Sequence, residues 1–578
     1  MNLFNPLIRT LRSYNKNIFF KDLTSAITVA VVSIPQSIAF AMLANINPIY
    51  GLYTAIIGSI VISVFSSSSH IAGGATNATC LLIASSLAAY SDLSYSEYMF
   101  IVFQFTFIVG IFQIFFGVLK LGKILNYISH AVIEGFTIGA ALLIIFGQAN
   151  KIVGLSLPNG LLAFQKVFFI IENYTSWNIY SIIISIIAIL IIYFSKKIHN
   201  LVPGQLIAII TTGFIVYIFK LELVGVSVVG NTPISLPSFK FFPLSIKNFI
   251  ELAPMALSYS LIALISAIAI TKTIAKQSNE KIDSNREFIA QGITNVTSSF
   301  FQSFAGTASV SRTALNYFAG ARTRMSGIFT GIFIALFLAF LGKLVAFIPN
   351  STLAAIIIFS AFKMIDFREI TAYFKAKTKD FIVAVLTLLA VLLFPKLDSA
   401  VLFGVAISII IYLYESGSAN IKILRFIPYK NKLYEINIDD IKEEENSITI
   451  LLEGNLYFGL AYDLEEKFSI LRTKCSNFIL RFRSVNSIDM TTYDIILDFT
   501  NKVIDSGGKL KLCGVNNKLY KFLEKNGYFK VLSKDNLFKK EDELYSSFSK
   551  ALEKIETECL DEKCTFEKIN INKIDDER

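Results

Sequence analysis

Apolar runs long enough to enter lipid recur from about Asp22 to Tyr414. From Glu415 onward, hydrophobic residues instead alternate with Lys, Glu and Asp. The first part predicts about fourteen hydrophobic segments. They fall near residues 23–44, 50–65, 74–90, 97–119, 124–147, 178–195, 202–220, 251–275, 286–303, 308–319, 325–347, 351–364, 380–394 and 396–414. Segments three and ten open on small-residue stretches, Ala72-Gly73-Gly74-Ala75-Thr76 and Ala305-Gly306-Thr307-Ala308-Ser309. Each stretch starts a helix too short to cross a bilayer. Small residues let the backbone approach a ligand closely, and a helix start offers unpaired N–H groups to an anion. Short extended pieces are expected just before these helices, over Ser69–Gly73 and Phe304–Thr307. Interrupted segments in matching places of two halves point to a transporter's binding site.

Segments one to seven and eight to fourteen read as two copies. An odd number per copy makes the second enter the membrane from the opposite face. The expected fold is therefore an α-helical polytopic membrane protein, about 14 segments in a 7+7 inverted repeat. After it comes a small α/β cytoplasmic domain. Its strands are expected at Ser447–Leu456, Phe478–Phe482 and Leu510–Cys513, with helices at Asp463–Leu471, Met490–Asp505 and Asn517–Asn526. The domain plan is 1–21 N-terminal segment, 22–414 transmembrane domain, 415–432 basic linker, 433–555 α/β domain and 556–578 charged tail.

Composition narrows the class. Hydrophobic residues make up 54% of the 578 and charged residues only 17%, too little charge to cover a soluble surface. The net charge of +10 reads as positive-inside bias, not nucleic-acid binding. Lys120/Lys123, Lys196/Lys197, Lys276/Lys281/Arg286, Arg322/Arg324 and Lys363 to Lys379 fall in alternate connections. That alternation places both termini in the cytoplasm, with the chain in the cytoplasmic (inner or plasma) membrane. The five cysteines form no CxxC pair, and three histidines with no HExxH leave little material for a metal site or a catalytic triad. Gly117 to Ile124 nearly matches a P-loop but lacks the terminal Ser or Thr and straddles a membrane segment. No metal, cofactor or enzymatic activity is expected.

Candidate chemistry centres on Ser309-Val310-Ser311-Arg312-Thr313. A guanidinium near the bilayer centre costs several kcal/mol unless paired or hydrated. A helix N-terminus contributes at most ~2 kcal/mol toward an anion, so two termini alone do not offset an anion's desolvation. Arg312 with the hydroxyls of Thr76, Ser309 and Ser311 makes the sum plausible. In segment one, Pro35 kinks the helix, Gln36 can donate to an oxyanion and Phe40 can wall a cavity. Glu134, His70, His130, Asn77 and Lys272 are isolated polar residues in apolar segments. Glu134 reads either as a proton relay or as an interfacial residue beside Lys120 or Lys123. His70 reads as a hydrogen-bonded anchor.

Several motifs in order resemble the sulfate permease (SulP) family. They are Pro35-Gln36-Ser37-Ile38-Ala39-Phe40-Ala41, Ser129-His130-Ala131-Val132-Ile133-Glu134-Gly135, Asp283-Ser284-Asn285-Arg286-Glu287-Phe288 and Ser309-Val310-Ser311-Arg312-Thr313. Gly454-Asn455-Leu456-Tyr457-Phe458 and Asn486-Ser487-Ile488-Asp489-Met490 resemble a STAS domain. The resemblance implies a core of segments 1–4 and 8–11 moving against a gate of 5–7 and 12–14, commonly as a homodimer. It implies an anion pocket between segments one, three, eight and ten, formed by Gln36, Phe40, Ala75, Thr76, Ser311 and Arg312. With the small-residue stretches, the candidate substrate set is Gln36, Phe40, Gly74, Ala75, Thr76, Ser309, Ser311 and Arg312.

This chain departs from the pattern at three places. Ser266 stands where many bacterial members carry an acid; Ser266 and Glu134 are the coupling-ion candidates for H+ or Na+, although a serine cannot hold a proton or balance Na+ as a carboxylate would. Gly74-Ala75 replaces Gly-Pro, and Asp489-Met490-Thr491-Thr492 replaces Asp-Ser-Ser-Gly. The expected function is secondary transport of a small anion by alternating access, with sulfate, bicarbonate or dicarboxylates as leading substrates. A nucleobase–cation symporter and a membrane sensor acting through a ligand or protein partner of the STAS domain are the alternatives.

Overall fold

The computed structural model describes residues 5–122, 129–158, 163–198, 202–230, 235–368, 371, 375, 379–394, 396–416, 421–427, 432–441, 447–543 and 545–560. Lys123, Lys377, Pro233 and the tail from 561 lie outside the described residues. The chain forms two compact units, 1–409 and 410–578.

In the first unit every predicted hydrophobic segment coincides with a helix. These are α1 Lys16–Leu43, α2 Pro48–Phe65, α3 Asn77–Ser86, α4 Tyr95–Val118, α5 His130–Val153, α6 Ile179–Ile198 and α7 Gly204–Phe219. The second set is α8 Ile246–Ser278, α9 Ser284–Phe300, α10 Val310–Phe318, α11 Met325–Leu341, α12 Asn350–Phe362, α13 Lys379–Leu393 and α14 Leu397–Ser416. Among the described residues, eight helices are long and apolar enough to cross a membrane by themselves. At 10 and 9 residues, α3 and α10 reach about 15 Å, half a hydrocarbon core. The short helices Asn5–Arg12 and Ala163–Glu172 were not foreseen.

Helix pairing carries the inverted repeat. The contact α1·α11 has its counterpart, seven helices on, in α8·α4, and α2·α11 has its counterpart in α9·α4. The contact α5·α13 is likewise matched by α12·α6. Small residues make these crossings close. A Cβ on Gly292 of α9 would lie 2.6 Å from the Gly110 carbonyl oxygen of α4. The same contacts divide the unit into a bundle of α1–α4 with α8–α11 and a second with α5–α7 and α12–α13. Between the two bundles, α1 packs on α7 and α12, and α3 on α5.

The small-residue stretches meet at the centre. Two short strands, β1 Gly73–Gly74 and β2 Thr307–Ala308, pair antiparallel, with Gly73 opposite Ala308 and Gly74 opposite Thr307. They sit at the helix-proximal ends of the predicted extended pieces. Buried non-helical backbone needs internal partners at this depth. Asn295 supplies two, bonding the Gly306 N–H at 2.9 Å and its carbonyl at 3.1 Å. Thr54 Oγ1 accepts the Phe304 N–H at 3.1 Å, and the Tyr259 hydroxyl donates to the Ala305 carbonyl at 2.8 Å.

The second unit holds a six-stranded sheet in the order β4-β3-β5-β6-β7-β8. The strands are β3 Ile421–Ile427, β4 Lys432–Ile436, β5 Ile448–Leu456, β6 Phe478–Ile488, β7 Leu510–Val515 and β8 Leu537–Lys539. Strands β5 to β8 run parallel, and β3 is antiparallel to both neighbours. Helices α15 Ala461–Lys474, α16 Met490–Asp505 and α17 Asn517–Lys525 connect the parallel strands, as crossover connections require. The last helix, α18 Ser546–Leu560, packs Phe548, Ala551, Leu552 and Ile555 against Ile479 and Cys513 of the sheet.

Residues 421–427 therefore belong to the sheet, not to a linker ending at 432, and α18 runs beyond residue 555. Lys422 and Arg425 hid β3 in the sequence, although Ile423 and Leu424 are buried. Asp489 caps α16 by accepting the Thr492 N–H at 2.9 Å. Thr492 is fully buried there, whereas Thr491 is exposed.

Candidate functional site

A cavity of about 740 Å³ opens where the two bundles meet. Helix α1 contributes Gln36 and Phe40 on either side of one turn, beyond Pro35. The start of α3 contributes Thr76 and Asn77, and the start of α10 contributes Ser309 and Ser311. Ser266 of α8 and His130 and Glu134 of α5 complete the set of predicted residues that reach it.

Side-chain hydroxyls organise both half-helix starts. Thr76 Oγ1 and Thr79 Oγ1 share a hydrogen bond of 2.8 Å. Ser309 caps α10 by accepting the Arg312 N–H at 3.4 Å, and its hydroxyl lies 3.4 Å from that of Ser311. The crossing is braced by Ser309 N–H to the Ala72 carbonyl at 2.9 Å and Ala72 N–H to Thr313 Oγ1 at 3.0 Å. Gln36 is nearly buried, and its Oε1 has no hydrogen-bond partner among the described residues.

Gly74, Ala75 and Arg312, expected to touch the anion, do not line the cavity. Ser311 faces the cavity, and one residue on, about 100° around the helix, Arg312 turns into the protein. Its side chain is 1% exposed and lies behind the strand crossing. Nη2 donates to the Ala75 carbonyl at 2.5 Å. Nε and Nη1 have no hydrogen-bond partner among the described residues, nor does the guanidinium form an ion pair there. Gly74 takes φ +136°, and a Cβ on it would meet Arg312 Nη1 at 2.9 Å. A glycine is needed there for both conformation and space.

His70 lies away from the cavity. Its ring packs edge-on to Tyr317, its Nε2 sits 3.9 Å from Glu280, and its carbonyl accepts from Asn316 at 2.9 Å. On the far wall the cavity is lined by Lys196, Gln205, Ser360 and Lys363, none predicted as site residues. The two lysines end α6 and α12, where the sequence reads them as ordinary loop cations. Only the folded chain shows that these ends face the half-helices. Among the described residues no group of His, Cys, Asp and Glu could hold a metal.

Comparison with known proteins agrees with this architecture. A model of the sulfate permease family matches residues 19–387, and a STAS domain model matches 440–544. The chain is 31% identical over 485 residues to sulfate transporter 1.1 of Arabidopsis thaliana, covering 80% of this chain and 74% of that one. It is 26% identical over 556 residues to the chloroplastic sulfate transporter 4.1 of the same plant, covering 92% and 81%. The murine Solute Carrier 26 family member A9 anion transporter, solved in an inward-facing state, has a TM-score of 0.84 at 19% identity. That match covers 96% of this chain and 94% of the other. The transmembrane domain of the cyanobacterial bicarbonate transporter BicA has a TM-score of 0.60 at 21% identity, covering 68% and 98%. At such identities the structural likeness speaks for the fold alone, but the family model spans well over half of the chain. The paired half-helices, the two bundles and the sequence match agree: this multi-pass membrane chain belongs to the sulfate permease family.

Proposed function

We propose that the chain is a secondary transporter of small oxyanions, with sulfate the leading substrate, and that it works by alternating access. The observation that carries this reading is the cavity between two half-helix starts with an unpaired guanidinium behind them. The bound anion takes hydrogen bonds from the first N–H groups of α3 and α10 and from Thr76, Ser309, Ser311 and Gln36, while Phe40 closes one side. Arg312 acts through its charge across the strand crossing, in a medium where charge is poorly screened. Relatives named as sulfate transporters support sulfate over the other candidates.

The bundle of α1–α4 and α8–α11 is the moving core, and the other bundle is the gate. The cavity mouth lies beside the ends of α6 and α12 and the start of α5, on the cation-rich face. The positive-inside rule makes that face cytoplasmic, together with both termini. Ser266 lines the cavity but holds no proton, so any coupling to H+ or Na+ does not run through a carboxylate at that position. A nucleobase carrier would want an acidic pair on α8 and α10, and Ser266 and Ser311–Arg312 supply none. The chain works as a homodimer, and its STAS domain receives a ligand or protein partner.

The test is uptake of labelled sulfate, bicarbonate, chloride and fumarate into proteoliposomes, with and without pH and Na+ gradients. The reading expects saturable sulfate uptake. Vesicles that accumulate none of the four anions would remove it.

A further inference from the structure

Opposite the half-helices, Lys196 and Lys363 line the same cavity. They also share one ring, with Nζ of Lys196 5.9 Å and Nζ of Lys363 4.2 Å from the centroid of Phe359. A ring face holds cations by its quadrupole, which fixes both stems. Among the described residues neither lysine has an ion-pair partner. Two carboxylates, Asp366 and Glu134, also line the cavity. Asp366 accepts the Arg368 N–H at 2.8 Å, and Glu134 has interactions of its own. His130 lines the same cavity.

Two ammonium groups held side by side repel each other unless an anion lies between them. A dianion gains twice what a monoanion gains from each of them. We propose that Lys196 and Lys363 form a second anion site on the gate wall, which takes a divalent oxyanion from the mouth before it reaches the half-helix site. The inference rests on the transport reading above and gives doubly charged oxyanions the advantage over monovalent anions. Fixed charges at an entrance act on capture more than on turnover.

The experiment measures sulfate and chloride uptake in inside-out and right-side-out vesicles holding the full chain. In inside-out vesicles K196Q/K363Q should raise the KM for sulfate roughly tenfold while kcat stays within about twofold. The KM for chloride should rise by about a third of that factor or less, and right-side-out vesicles should show no change for either anion. K196R/K363R, which keeps both charges, should restore the sulfate KM. An unchanged sulfate KM in inside-out vesicles overturns the second site. So does an equal rise for both anions, or an equal rise in both orientations. Wild-type vesicles that move sulfate in neither orientation overturn the transport reading itself, and this inference with it.

Discussion

Arg312 Nη2 donates to the Ala75 carbonyl oxygen at 2.5 Å, tying the start of α10 to the start of α3. The remaining guanidinium nitrogens have no hydrogen-bond partner among the described residues. A charge held this way inside a membrane protein is costly, and under the proposed function an anion in the neighbouring cavity lowers that cost. The single bond to Ala75 sets the direction of the guanidinium. The bare nitrogens leave its charge uncompensated.

The fit of Gly74 against that guanidinium predicts a clear mutational contrast. Gly74→Ala imposes both a strained φ and a Cβ 2.9 Å from Nη1, whereas Gly320, at φ +96°, has nothing within 4 Å of a Cβ. Gly320→Ala should cost only the backbone strain, about 1 kcal/mol, and keep sulfate uptake. Gly74→Ala should cost about 2–3 kcal/mol and lose most uptake. Thermal unfolding of the purified proteins and uptake by each check the pair. Equal effects would mean that Arg312 is not pressed against this backbone.

Asp22 clasps the connection between α10 and α11. Its fully buried carboxylate accepts the Arg322 N–H at 2.7 Å, the Thr323 N–H at 3.0 Å and the Thr323 hydroxyl at 2.5 Å. Asp22→Ala leaves those donors unsatisfied, at about 1–3 kcal/mol each before relaxation. A lowered unfolding temperature is expected, with a smaller drop for Asp22→Asn, which keeps one acceptor. Wild-type stability in Asp22→Ala would show that the clasp contributes nothing.

In the second unit Lys511 is buried and meets Glu558 of α18 at 2.5 Å and Asn536 Oδ1 at 2.8 Å. Burial lowers the lysine pKa from its usual value, and Glu558 raises it in part. The folded state therefore binds the proton less tightly than the unfolded chain. Holding the ammonium costs stability at neutral pH, and that cost fades as pH rises toward the unfolded pKa of about 10.4. Lys511→Met should be neutral or stabilising at pH 7, with its advantage shrinking at alkaline pH. Glu558→Gln should destabilise by about 1–2 kcal/mol, less than a fully buried pair because Glu558 reaches water. Denaturant unfolding of a fragment starting at residue 417 checks both signs.

Long apolar runs made the fourteen helices α1 to α14 legible, because lipid leaves a segment little choice but to be a helix. The half-helices were legible through Gly73-Gly74 and Gly306, since small residues inside an apolar run have few other uses. The direction of Arg312 was not legible. Ser311 and Arg312 are adjacent, and only the helix phase set by Ser309 sends one to the cavity and the other behind it. Lys196 and Lys363 were hidden because positive-inside bias produces the same lysines for another reason. Strand β3 was masked by Lys422 and Arg425, which read as a basic linker until Ile423 is seen under the sheet.

Sulfate uptake by Arg312→Met, set beside wild type and Arg312→Lys in proteoliposomes, tests the positive trap most directly. Methionine keeps bulk without charge, so the protein should elute and unfold as wild type does. Uptake should fall roughly hundredfold, with Arg312→Lys retaining a measurable part. Arg312→Met that takes up sulfate with the wild-type KM and rate would contradict the account.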